Sequence, residues 1–140
     1  MKLPHVRDRV SRWLWLPPAR TSPREARGFM RAVCEDWGID ETIISDALVV
    51  VTQLVTCAVV RAQAPCVVRV ARAGAGLRID VNDDCPCPMP IPGRGPVDLA
   101  GPCAVGIRLV DGLTAAWGVT DRGPGKSVWA VVKADPAAST

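Results

Sequence analysis

An α+β sandwich, one mixed β-sheet with its helices packed on one face, is the fold class this 140-residue chain predicts. Three observations lead there. From Ile43 to Val60 apolar residues recur three and four apart, the spacing of a helix with a buried face. Short runs rich in valine and isoleucine fall in pairs on either side of glycine turns, at Gly74-Ala75-Gly76 and Gly123-Pro124-Gly125. The elements then follow the order β, α, α, β, β, loop, α, β, β, with no internal repeat and no second domain.

Taken in turn, residues 1–11 are polar and expected to be loosely ordered, and the domain spans 12–133. Trp13-Leu14-Trp15-Leu16 reads as a first strand that stops at Pro17-Pro18. Ser22-Pro23-Arg24-Glu25 reads as a helix start, with Ser22 at the cap, Pro23 at the first position and Glu25 completing a capping box. That helix should carry Phe29, Val33 and Trp37 and end at Gly38. Asp40 caps a longer helix whose buried stripe is Ile44, Ala47, Leu48, Val51, Leu54, Val55, Ala58 and Ala62. Val67–Val70 and Leu77–Val81 make a hairpin. A proline- and glycine-rich loop of about twenty residues follows, from Asp83 to Cys103, long enough to suggest function or mobility. Ala104–Ala116 is a third helix, Trp117–Val119 and Ser127–Val132 are the last strands, and 134–140 is a disordered tail. Trp13, Trp15 and Trp37 are expected in the core, with a partner surface as the alternative.

Composition excludes several classes. The net charge of +3 is mild, tyrosine is absent, and no basic run carries interleaved aromatics, which argues against nucleic-acid binding. Ser45, Asp46, Thr52, Gln53 and Thr56 interrupt the apolar stretch, so it reads as a buried helix and not as a membrane span. No secretory signal is evident, and a cytoplasmic protein with reduced thiols is expected. Cys85-Pro86-Cys87 lacks zinc-knuckle spacing and the single histidine, His5, lies far off, so zinc on Cys85, Cys87 and Cys103 is disfavoured. A thiol sensor built from Cys57 and those three is weaker than chance placement.

Six segments carry a resemblance when taken in order. They are Ala26-Arg27-Gly28-Phe29, Val51–Val59, Val81–Pro86, Gly106–Val110, Trp117-Gly118-Val119 and Gly125–Trp129. Together they resemble the GHKL (histidine-kinase-like) ATP-binding domain. They are most similar to the anti-sigma-factor serine/threonine kinases of actinobacterial type.

The resemblance implies roles position by position. Gln53 stands where the family has a glutamate base, and Cys57 where an asparagine oxygen holds Mg²⁺. A glutamine cannot take a proton at neutral pH, and a thiol is a poor magnesium ligand. Arg61 stands where relatives have histidine and reads as a solvated charge. Asp83 matches the aspartate that accepts from the amino group of adenine, and Ser127 a hydroxyl residue supporting that site. Lys126 reads as a turn residue. Relatives enter the third helix through a glycine-rich phosphate cradle; here Ala104-Val105-Gly106-Ile107 keeps only Gly106, with Ile107 beside it.

The implied ligand is ATP or ADP, held weakly, with Mg²⁺ missing its usual donor. The implied partners are a sigma factor or an anti-sigma-factor antagonist, with a homodimer along the sheet edge and helices. The expectation is therefore a regulatory, catalytically degenerate kinase relative, a pseudokinase acting through protein binding. The alternative is an active ATP-dependent serine/threonine kinase.

Overall fold

Leu14 and Leu16 face inwards from a first strand that ends where Pro17 and Pro18 remove backbone donors, and each later element extends the layer they begin. The computed structural model describes residues 11–84, 104–123 and 125–133, without the side chains of 60–62, 104 and 105. The expected loose N-terminus up to residue 10, the loop beyond Asp84 and the C-terminal tail lie outside the described residues. The elements are β1 (Ser11–Leu16), α1 (Ser22–Asp36), α2 (Glu41–Thr56) running into a π turn (Cys57–Ala62), β2 (Cys66–Ala73), β3 (Gly76–Asp83), α3 (Ala104–Leu113), β4 (Ala116–Arg122) and β5 (Gly125–Val132).

The strand order is β1-β2-β3-β5-β4, and every neighbouring pair is antiparallel, where a mixed sheet was expected. The connections explain this. Two helices between β1 and β2 cancel each other's displacement, so β2 starts beside the end of β1, Leu16 opposite Cys66. The single helix α3 does carry the chain along the sheet, making β4 parallel to β3. The hairpin partner β5 then inserts between them, and no parallel contact forms.

Alternation along the strands turns Val68, Val70, Leu77, Ile79, Val81, Val128, Ala130 and Val132 onto the helix layer, where all are buried. The helix α2 meets them with Ile43, Ile44, Ala47, Val50, Val51, Leu54 and Val55. This stripe is broader than the expected one, adding Ile43 and Val50 while Leu48 is only half-buried, because α1 and α3 also pack on α2. Glu41–Val59 has the length and hydropathy of a membrane span, but over half of that stretch is buried within the domain.

Two local expectations change. Ser22 lies inside the first turn of α1 and is fully buried; Thr21 is the cap, with no side-chain cap bond. A buried hydroxyl needs a partner, and Ser22 donates to the Pro17 carbonyl, which pins the helix to the proline corner. Trp13 and Trp15 are 59% and 61% exposed, since the register that buries Leu14 and Leu16 sends them to the outer face. There a cross-strand row runs Trp13, Arg69, Asp80, Trp129. Arg69 lies over the Trp13 ring and Arg78 over Trp129, and both guanidiniums reach Asp80.

The end of α1 is as the sequence indicates. Gly38 sits at φ 67°, its N–H donates to the Glu35 carbonyl at 3.2 Å, and Ile39 N–H donates to Cys34 at 3.0 Å. This double bond pattern is a Schellman motif and requires a left-handed residue. Gly38→Ala is expected to lower unfolding stability by about 1–2 kcal/mol, read from urea denaturation, without changing the helical signal.

Candidate functional site

Gln53 and Cys57 are one turn apart on α2 and share a face. That face meets α3. A Cβ on Gly106 would overlap the Gln53 amide oxygen, so the carboxamide rests directly on the glycine backbone. The structure thus joins two residues that the sequence assigned separate jobs, base position and phosphate loop. Ile107, the next residue of α3, is buried. Cys57 is buried as well, and Cys34, Cys57 and Cys66 form no disulfide.

Asp83 closes β3 on the helix-facing side of the sheet. Its direct cross-strand neighbours are Cys66 on β2 and Lys126 on β5. The Lys126 ammonium donates to its carboxylate at 3.1 Å, with the side chains only 8% and 2% exposed. Charges this deeply buried persist only when paired. Lys126 is therefore no turn residue: it is the second residue of β5, buried, and opposite the expected adenine acceptor. Gly125, just before it, packs its Cα against the Asp83 carbonyl, where a Cβ would collide with backbone. Burial pushes the neighbouring Cys66 thiol up to about 11, and the charge of Asp83 adds to the shift.

Ser127 pairs with Asn82 and Thr120 and, by strand alternation, points to the outer face, away from Asp83. The structure does not bring it to the expected site. The sequence reading missed Lys126 by one position, and one position on a strand exchanges the two faces. The signal was available: in Lys126-Ser127-Val128-Trp129-Ala130 the lysine shares the parity of Val128 and Ala130, the buried set.

Magnesium favours hard oxygen ligands. Here the expected ligand position offers the Cys57 thiol, while the amide oxygen of Gln53, one turn back, lies against Gly106. These donors do not fit the ion. Among the described residues no group of three or more histidine, cysteine or acidic side chains is placed to hold a metal. Cys85, Cys87 and Cys103, and the side chains of Arg61, Ala104 and Val105, lie outside the described set.

Two clefts open elsewhere. One of about 300 Å³ lies at the sheet end among Trp13, Trp15, Val67, Asn82, Asp84 and Arg122, with Asp83 at its edge. The other, about 540 Å³, lies between the proline corner and the end of α2. Neither is lined by Gln53, Cys57 or Gly106.

Comparison of the sequence with family models and with curated proteins finds no match. Comparison of the fold does. The RsbU and RsbW domains of Rv1364c from Mycobacterium tuberculosis match with a TM-score of 0.66 at 18% identity, over 88% of this chain and 32% of theirs. The SiaB–SiaC complex from Pseudomonas aeruginosa matches with a TM-score of 0.61 at 15% identity, over 86% of this chain and 88% of that one. This chain therefore spans about a third of the length of the mycobacterial one. At these identities the likeness is one of fold.

Two stability experiments test the described contacts. Asp83→Asn alone should cost about 3–5 kcal/mol, since it strands the buried Lys126 ammonium, and much of that loss should return when Lys126→Met is added. Gly106→Ala should cost about 1–3 kcal/mol by displacing the Gln53 amide, and most of that should return in the Gln53→Ala background. Additive losses would mean that the two residues do not touch.

Proposed function

We propose that this chain is a regulatory domain of the anti-sigma-factor type that works by binding protein partners and has lost phosphotransfer. Its fold is similar to the RsbW-containing and SiaB–SiaC structures, which supports the regulatory class. The partners on this reading are a sigma factor or an antagonist of the anti-sigma factor, in the cytoplasm, where reduced thiols are the rule.

The observation that carries the loss of nucleotide chemistry is the buried Asp83–Lys126 pair. The carboxylate that should accept from adenine already accepts from an ammonium. Displacing Lys126 leaves a buried cation unpaired, at a cost of about 3–5 kcal/mol. That corresponds to roughly a hundred- to several-thousandfold in nucleotide affinity. The other positions support the same reading independently. Gln53 cannot act as a base at neutral pH and its amide rests on Gly106. The thiol of Cys57 cannot replace an oxygen ligand for magnesium.

The test is calorimetric titration of the purified chain with ATP and ADP, first with Mg²⁺ and then with a chelator. The expected result is no binding heat up to millimolar nucleotide in either condition. Micromolar binding that requires Mg²⁺ would overturn the proposal and favour an active kinase.

A further inference from the structure

The larger cleft has no place in the nucleotide argument. It is lined by Pro18, Arg20, Pro23, Thr56, Val59 and Gln63, and its volume of about 540 Å³ falls in the range of small-molecule pockets. Thr56 lies one turn beyond Gln53 at the end of α2 and Val59 in the π turn that follows, while Gln53, Cys57 and Gly106 are not among the residues that line the cleft. The cleft thus does not include the Gln53–Gly106 contact.

Its walls are preformed. Pro18 and Pro23 hold one side with fixed φ angles, and the buried Ser22 bond to Pro17 locks the corner that carries them. The opposite side is the end of α2, which widens into the π turn and stops at Gln63. That residue is held at φ 51° and ψ 42°, the one non-glycine positive φ among the described residues. Rigid walls lower the ordering cost of binding.

The chemistry of the lining is one-sided. Pro18, Pro23 and Val59 offer apolar surface. Arg20, Thr56 and Gln63 offer a guanidinium, a hydroxyl and a carboxamide, and none of the three bonds to another side chain among the described residues. Among the described residues no carboxylate lines the cleft. A positive group, two neutral donors and apolar walls are complementary to an anion carried on an apolar body. Inorganic phosphate leaves the prolines and Val59 uncovered, and a neutral apolar molecule leaves Arg20 without a counter-charge.

We propose that this cleft binds a small organic acid, its carboxylate held by Arg20 with Thr56 and Gln63, and its apolar body against Pro18, Pro23 and Val59. Because Arg20 is exposed, its contact selects for the acid, while the apolar walls supply most of the affinity. Binding would tie the β1–α1 corner to the end of α2.

The probe is sodium octanoate, titrated into the ¹⁵N-labelled full chain and followed by amide shifts. Saturable shifts at Arg20, Thr21, Thr56 and Gln63, with none at Gln53 and Gly106, are expected. Arg20→Ala, a surface change that leaves the core intact, should weaken binding about tenfold, as a charge-assisted hydrogen bond does. Val59→Trp should fill the cleft and abolish binding. The proposal is overturned by no saturable shift, by equal binding of 1-octanol that ignores Arg20→Ala, or by inorganic phosphate binding as tightly as octanoate.

Discussion

The burial of α2 fixes everything else in this molecule. The sheet lies beneath it and α1 and α3 lie against its flanks, so Val50, Val51, Leu54 and Val55 are fully or almost fully removed from water. Each such side chain contributes about 1.5–3 kcal/mol on burial. Rotating the helix by one residue would exchange several of them for Thr52, Gln53 and Thr56. Its rotation is therefore set by hydrophobic packing alone, and the polar positions have no choice of direction. Gln53 and Cys57 point where they do because their neighbours on the other side are apolar.

The same logic explains what could be read from the sequence. Helices, hairpins and the proline stop after β1 were legible, because periodicity, glycine turns and missing donors are local signals. The Schellman end at Gly38 was legible for the same reason. Strand order was not: the insertion of β5 between β3 and β4 is a matter of long-range pairing, and so the sheet proved antiparallel throughout. The cap of α1 was misread because Ser22 has a buried carbonyl to satisfy, a demand that only the folded proline corner creates. The tryptophans of β1 were misread because their size suggests a core, while the register of Leu14 and Leu16 sends them outwards.

Of the candidate site, the residue types were legible and the partners were not. Sequence gives Gln53 and Gly106 separate roles, but their contact depends on how closely α3 crosses α2. The resemblance marks Asp83 as a site residue, yet the lysine that pairs with it lies forty-three residues away, on a strand whose phase has to be known to the residue. A lysine among valines and alanines is the kind of exception that strand parity exposes, because a buried cation requires a buried anion.

Under the proposed function, these contacts also bear on how a nucleotide site can be retired without unfolding the protein. A pocket that relies on its ligand leaves a carboxylate and a glycine gap unfilled whenever the ligand is absent, and part of its stability then depends on ligand concentration. In this chain the Asp83 carboxylate accepts from the buried Lys126 ammonium, a partner the fold itself provides. The Gln53 amide likewise covers the backbone of Gly106. Both are internal substitutes for ligand contacts, and both are held by elements the core already fixes. On this reading the domain has exchanged a ligand-dependent polar cluster for a self-satisfied one.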